Sequence, residues 1–444
     1  MTPKQLRSAQ ADLQVLLKPA NLLSEVTSFK KFGFIESLRR EVRTPNGSKV
    51  CFGDRAVESY NRLSRVLAAE LPSREFVERG DINSACKSVL GRWYEDDVSG
   101  DLAHYIRDVE SLVSQSVRVH EYYSPLSGLE LLELEKFEFG NVAIHKPRLE
   151  VLKSSVGLDA VISSAWQQTN HGLWLTAKIK GSADYAERRF FDLVKVTCGM
   201  LALSFTTCLE RGGAAVRLIP AHEGSYKPGA VTWFSLDADS RTLNLKTSFD
   251  GLQRLDFTPE HATSLLECEW FQELVRVSQS GSGNDAECSL RRALHWFFDA
   301  QADTSLDMKF VKYWSCIECM FSKSKIKVVD QIRRGLTSLL CYGRYGYSSP
   351  EGWKSIDRRV VELYDLRSIA VHDAQHGHVE FSDVVDVSKW AAFILMEVAM
   401  MVARGMQNRT QLKEEVECIQ EYHCSPKFKT NYSHFYARFS EARI

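Results

Sequence analysis

The chain has 444 residues, a 44% apolar share, and 56 Lys and Arg against 57 Asp and Glu. That length suggests two to four domains with sizeable cores. The near-zero net charge excludes a global electrostatic footprint for nucleic acid and leaves only local patches. No apolar run approaches the roughly 18 residues of a membrane span, and MTPKQLRSAQ lacks the apolar core of a signal peptide. The eleven scattered cysteines read as reduced thiols of a cytoplasmic protein.

Residues 1–120 read as a helical N-terminal domain. LRSAQADLQVLLK, RAVESYNRLSRVLAAEL and SGDLAHYIRDVESLVSQSVRV carry apolar residues at three- and four-residue spacing. Pro45-Asn46-Gly47 and PSREFVERGD supply turn signals between them. Ser99 or Asp101 is placed to cap the last helix. With no Gly-rich phosphate loop and no clustered Cys and His, this segment reads as a packing or recognition domain.

The period changes over residues 121–257, which read as a mixed α/β domain. LEKFEFG, GLWLTAKIKG, AAVRLIPA, AVTWFSLDA and RTLNLKTSF alternate apolar and polar residues or form short β-branched and aromatic runs. One helix is predicted from Ala183 to about Leu203. Trp166, Trp174 and Trp233 are expected to pack against the sheet; base stacking by an exposed aromatic is the alternative.

Residues 258–405 read as a bundle of four to six helices. Thr258-Pro259-Glu260 is a helix start, because threonine caps and proline at the first position loses no hydrogen bond. A single helix is predicted to Gln279, then a Ser-Gly breaker, then AECSLRRALHWFFDAQ and SLDMKFVKYWSCIECMFSK. A basic, Gly-containing connection leads to IDRRVVELYDLRSIAVH. VVDVSKWAAFILMEVAMMVARGM is apolar nearly all round and is predicted to be buried. Residues 406–444 form a tail whose aromatics, Tyr432, Phe435, Tyr436 and Phe439, could dock it on the body. The fold expectation is therefore multidomain α+β with an all-α C-terminal bundle.

The chemistry-bearing stretch is Arg367-Ser368-Ile369-Ala370-Val371-His372. Arginine grips phosphate through paired donors, and histidine exchanges its proton near neutral pH. On an ideal helix, five residues turn about 500°, so Arg367 and His372 diverge by roughly 140°. Ser368 and His372 share a face, so the hydroxyl can orient the imidazole. Glu318 lies mid-helix in an otherwise apolar run. A buried carboxylate needs a partner, and Arg367 is the obvious one. One reading is purely structural, with Arg367 pairing Glu318 and His372 capping a helix end.

Residues 285–405 resemble the Apea-like branch of the HEPN family. The resemblance rests on WSCIECMFSK, Trp314 to Lys323, and LYDLRSIAVH, Leu363 to His372. The family has a Trp, a small residue, an apolar residue, Glu and a following Phe in the first stretch. In the second it has Leu-Tyr-x-Leu-Arg-Ser and then His. The resemblance implies a helical bundle that dimerises with two Arg-His motifs facing each other. It implies a metal-independent endoribonuclease with no cofactor, acting on RNA such as tRNA or mRNA in a toxin or anti-phage defence role. His372 would be the base or acid, Arg367 would hold phosphate, and Ser368 and Glu318 would orient them. A glycine often follows the histidine in the family; here it is Asp373. The alternative is a non-catalytic dimerising or RNA-binding scaffold.

Lys323, Lys325, Lys327, Arg333, Arg334, Arg344, Lys354, Arg358 and Arg359 form the local basic cluster. It reads either as a solvated face or as an RNA backbone path. Three sets of residues are metal-ligand alternatives: His372 with His376 and His378, Cys316 with Cys319, and Cys418 with His423 and Cys424. Core packing is the better reading of Cys316 and Cys319. No metal and no membrane partner is expected.

Overall fold

A computed structural model describes residues 1–98, 100–154, 159–170, 172–220, 230–236, 243–249, 254–280, 282–321, 328–372 and 377–425. They form a mixed α+β protein of two compact units. One comprises Met1–Tyr122 with Lys178–Phe190; the other comprises Tyr123–Ala177 with Phe191–Ile444. The chain passes between the two units after Tyr122, Ala177 and Phe190.

In the first unit, α1 (Pro3–Leu16) starts on a Thr2–Gln5 capping box and buries Ala9, Leu13 and Leu16 along one stripe. It packs on α4 (Asp54–Glu70). There the buried Asp12 carboxylate accepts from Arg62 at 2.6 Å. Between them lie the short α2 (Glu25–Phe32) and α3 (Phe34–Arg40) and a small antiparallel sheet. Its strands are β1 (Leu22–Ser24), β2 (Glu41–Arg43) and β3 (Lys49–Phe52), in the order β1-β3-β2. Pro45-Asn46-Gly47 turns β2 into β3, with Gly47 at φ +83°. This sheet departs from the helical reading of residues 1–120, whereas α2, α3 and α5 (Arg79–Glu95) are helices beyond the three stretches named from the sequence. Asp101 caps α6 (Leu102–Ser116), accepting from the His104 amide at 2.8 Å.

LEKFEFG, GLWLTAKIKG, AVTWFSLDA and RTLNLKTSF contain strands as predicted, whereas AAVRLIPA keeps only the two-residue strand Ile219–Pro220. A five-stranded sheet runs in the order β6-β7-β8-β4-β9. Its strands are β4 (Arg118–Ser127), β6 (Lys136–Phe139), β7 (Val142–His145), β8 (Leu173–Gly181) and β9 (Ile219–Pro220). β5 (Leu129–Leu131) pairs in parallel with β12 (Leu255–Phe257), and β10 (Ala230–Leu236) pairs antiparallel with β11 (Leu243–Phe249). Trp174 is buried against Tyr123, His145 and Trp166. The Trp233 side chain lies outside what is described. Two helices, α7 (Leu149–Lys153) and α8 (Asp159–Thr169), interrupt the strands without having been foreseen. α9 (Ala183–Cys208) continues past Leu203 and is long and apolar enough to cross a membrane by composition. Two thirds of its most apolar window, 67%, is buried, which marks a core helix.

The C-terminal region is helical. α10 (Pro259–Glu267) and α11 (Glu269–Gln279) replace the single predicted helix, with Cys268 extended between them. α12 (Asp285–Ala302), α13 (Leu306–Phe321), α14 (Val328–Tyr342), α15 (Trp353–His372) and α16 (Phe381–Ala403) follow. α14 occupies much of what reads as a basic connection. Its Ile332, Leu336, Leu339 and Leu340 are nonetheless buried at helical spacing. From Trp390 onward α16 is buried on nearly every side, as its composition predicts, while its first turn is exposed at Phe381 and Ser382. The tail contributes α17 (Arg409–Cys424), which docks through Leu412, Val416 and Ile419. Its four aromatics lie outside the described residues.

Candidate functional site

α13 and α15 form the site, and their sequences put two contacts in register. Trp314 is buried and meets Tyr364 edge-on at 6.0 Å between ring centroids. One turn further along each helix, Glu318 meets Arg367. Its two carboxylate oxygens each lie 3.3 Å from Nη2 of the guanidinium. The step from 314 to 318 on α13 and from 364 to 367 on α15 is one turn in the same sense. The α13 face behind Glu318 is core, with Phe310, Tyr313, Ile317 and Met320 buried. Glu318 emerges at its edge, so both pair members are partly shielded, at 19% exposure for Arg367 and 22% for Glu318. The expected Glu318–Arg367 partnership is therefore made.

α15 stays α-helical through His372. Its backbone thus keeps positions 367 and 372 about 140° apart around the axis and keeps 368 and 372 on one face. The His372 side chain lies outside what is described. Ser368 is half-buried. The same end of α15 is poorly covered: Leu366, Ile369 and Ala370 are half-buried and Val371 is 41% exposed. Further back, Val360 and Leu363 are fully buried.

The basic cluster divides by pairing. Arg333 meets Asp357 at 3.2 Å. Arg359 meets Asp383 at 2.6 Å and Asp386 at 3.0 Å, tying α15 to α16. Arg344 meets Glu269 at 3.0 Å. Lys354 and Arg358 are exposed. Arg334 is exposed on the wall of a pocket of ≈ 340 Å³ that also takes in Arg409 and Lys413. Lys323, Lys325 and Lys327 lie outside the described residues. Sequence reasoning missed Asp383 and Asp386, although their three-residue spacing at the start of α16 presents both to one helix face.

Cys316 is buried, and burial pushes its thiol well above the ordinary range; burial also raises Cys319. His423 is engaged in an aromatic cluster: its ring stacks on Trp353 at 4.1 Å, and Nδ1 lies 2.6 Å from the Tyr342 hydroxyl. Among the described residues no group of three or more His, Cys, Asp or Glu is placed to hold a metal ion. His376 lies outside them. One buried cation was also missed. Lys309 is 4% exposed, bonds the Gln301 carbonyl at 3.3 Å, and is pushed down to about 8 by burial and by the charge of Arg217.

Compared with known protein families, curated proteins and solved structures, the chain matches none.

Proposed function

We propose that the C-terminal bundle is a HEPN-type endoribonuclease that cleaves RNA by attack of the 2′-hydroxyl, without a metal. The observation that carries this reading is the Glu318–Arg367 pair, which joins the two stretches that bear the family resemblance. In this scheme His372 takes the 2′-hydroxyl proton. The 2′-oxygen bonds phosphorus, the bond to the 5′-oxygen breaks, and that oxygen receives a proton from a protonated histidine. Arg367 offsets the charge that grows on phosphorus-bound oxygens. Glu318 and Ser368 orient the arginine and the imidazole.

The poorly covered end of α15 supports a homodimer. A second copy packed there would cover Leu366, Ile369 and Val371 and bring a second Arg-His motif beside the first. One histidine would then serve as base and its mate as acid. Among the described residues, Arg334, Lys354 and Arg358 are the exposed cations of the basic cluster placed to follow an RNA backbone. The family resemblance alone suggests a toxin or anti-phage effector acting in the cytoplasm.

A second reading has its own support. Arg367, Arg333 and Arg359 already hold acids within the bundle, which suits a scaffold that dimerises or binds RNA without cutting it. Incubation with tRNA and mRNA in EDTA, beside Arg367→Ala and His372→Ala, separates the two readings.

A further inference from the structure

The first unit carries a helical hairpin turned inside out. α2 and α3 meet at Gly33, at φ +76°, where an added Cβ would find nothing within 4 Å. The inward positions are hydroxyls: Ser28 and Ser37 are buried and bond each other at 3.0 Å. The outward positions are large and apolar. Ile35 is 70% exposed, Val26 64% and Phe34 63%, with Phe29 and Leu38 beside them. The Phe29 and Phe34 rings touch edge-on at 6.3 Å, so the apolar groups adjoin across the corner. A helix of a folded domain normally does the reverse, and exposed apolar patches of this kind mark contact sites.

Charge indicates what makes the contact. Residues 25–40 carry Lys30, Lys31, Arg39 and Arg40 against Glu25 and Glu36. Lys31 and Arg40 are anchored on Asp54 at 2.8 and 2.9 Å, which fixes the hairpin to α4. Lys30 is exposed, and Arg39 is 76% exposed with only a 3.7 Å contact to Glu36. The surface is thus an apolar tip with a basic rim, and it calls for an anionic counterpart.

We infer that the α2–α3 hairpin is a wedge that docks on an anionic phospholipid surface. Its corner has open space about Gly33, and its apolar side chains protrude into solvent. A protein partner would need a matching socket, whereas a bilayer interface takes up protruding apolar groups without one. The basic rim sits where lipid phosphates and carboxylates would lie. A second copy of the hairpin would bring two basic rims together. Contact is by adsorption, because helices of 8 and 7 residues are far too short to span. The sequence expectation of no membrane partner rested on uninterrupted apolar runs. Here the apolar residues alternate with Ser and Lys and gather only on folding.

The test is co-sedimentation of the full chain with vesicles of phosphatidylcholine alone and of phosphatidylcholine with phosphatidylserine. The wild type is expected to pellet with the anionic vesicles and to be released by salt. Lys30→Gln with Arg39→Gln should weaken partitioning roughly 25-fold, about fivefold per charge. Phe34→Gln with Ile35→Gln should abolish it, with the thermal melt and circular dichroism unchanged because these side chains lie outside the core. Wild-type protein that stays in the supernatant with both vesicles overturns the inference. So does either double variant binding as the wild type does. Patch-dependent self-association in sedimentation velocity, without vesicle binding, also overturns it and assigns the face to a second copy.

Discussion

Glu318 holds Arg367 at 3.3 Å, one turn along both helices from the Trp314–Tyr364 ring contact. The guanidinium is therefore positioned by a contact from α13 that is itself anchored in the core. In the proposed enzyme, Glu318 acts on the phosphate only through Arg367, so it is a positioning residue.

Glu318→Gln keeps the shape of the side chain and removes its charge. The expected result is up to about a hundredfold loss of cleavage, the scale on which a displaced catalytic group costs rate. The loss of stability should be only about 1 kcal/mol, because the pair is partly exposed. Denaturant unfolding alongside cleavage assays checks both. A stability loss that accounts for all the lost activity would reduce Glu318 to a structural role.

Arg358 and Arg359 are sequence neighbours with opposite prospects. Arg359 is engaged by Asp383 and Asp386, whereas Arg358 is exposed. Arg358→Ala should weaken RNA binding and lower the salt slope by about 0.7 per lost phosphate contact on a single strand. Arg359→Ala should leave the slope alone and destabilise the α15–α16 contact, since it strands the largely buried Asp383. Binding titrations at several salt concentrations, with thermal melts, separate the two. Equal effects on the slope would contradict the division of the basic cluster.

Lys309 gives a pH signature. Burial first, then Arg217, pushes it from 10.5 to about 8 in the folded chain. Between about pH 8 and 10.5 the unfolded chain holds a proton that the folded chain has released. Stability therefore rises with pH across that window, and the penalty of charging Lys309 is fully present below it. Lys309→Met should be more stable than the wild type at pH 7 by at most about 3 kcal/mol, with the gap closing as the pH rises past 8. Denaturant midpoints at pH 7 and pH 9.5 or so check it. A constant gap would contradict a titrating Lys309.

How far the sequence carries depends on where the signal resides. α16 is legible because Trp390, Leu395, Met396 and Val398, spread around the helix at about 100° per residue, surround it with apolar groups. The strands β6 and β8 are legible from alternation. α14 is hidden by the basic and glycine residues around it, although Ile332, Leu336 and Leu339 keep the helical period. α2 and α3 are hidden for a different reason: their apolar residues face outward, so periodicity identifies no core face. At the site, the Glu318–Arg367 partnership was foreseeable because a carboxylate in an apolar run demands a cation. The Trp314–Tyr364 register was not, since it depends on how two distant helices pack. His372, Lys323, Lys325 and Lys327 are named by sequence alone.

The most direct measurement is cleavage of purified tRNA and mRNA in EDTA by the full chain, by His372→Ala and by Arg367→Ala. The account predicts cutting by the wild type with 2′,3′-cyclic phosphate and 5′-hydroxyl ends, and a loss of at least about a hundredfold in each variant. Equal cutting by all three proteins, or cutting that EDTA abolishes, would contradict it.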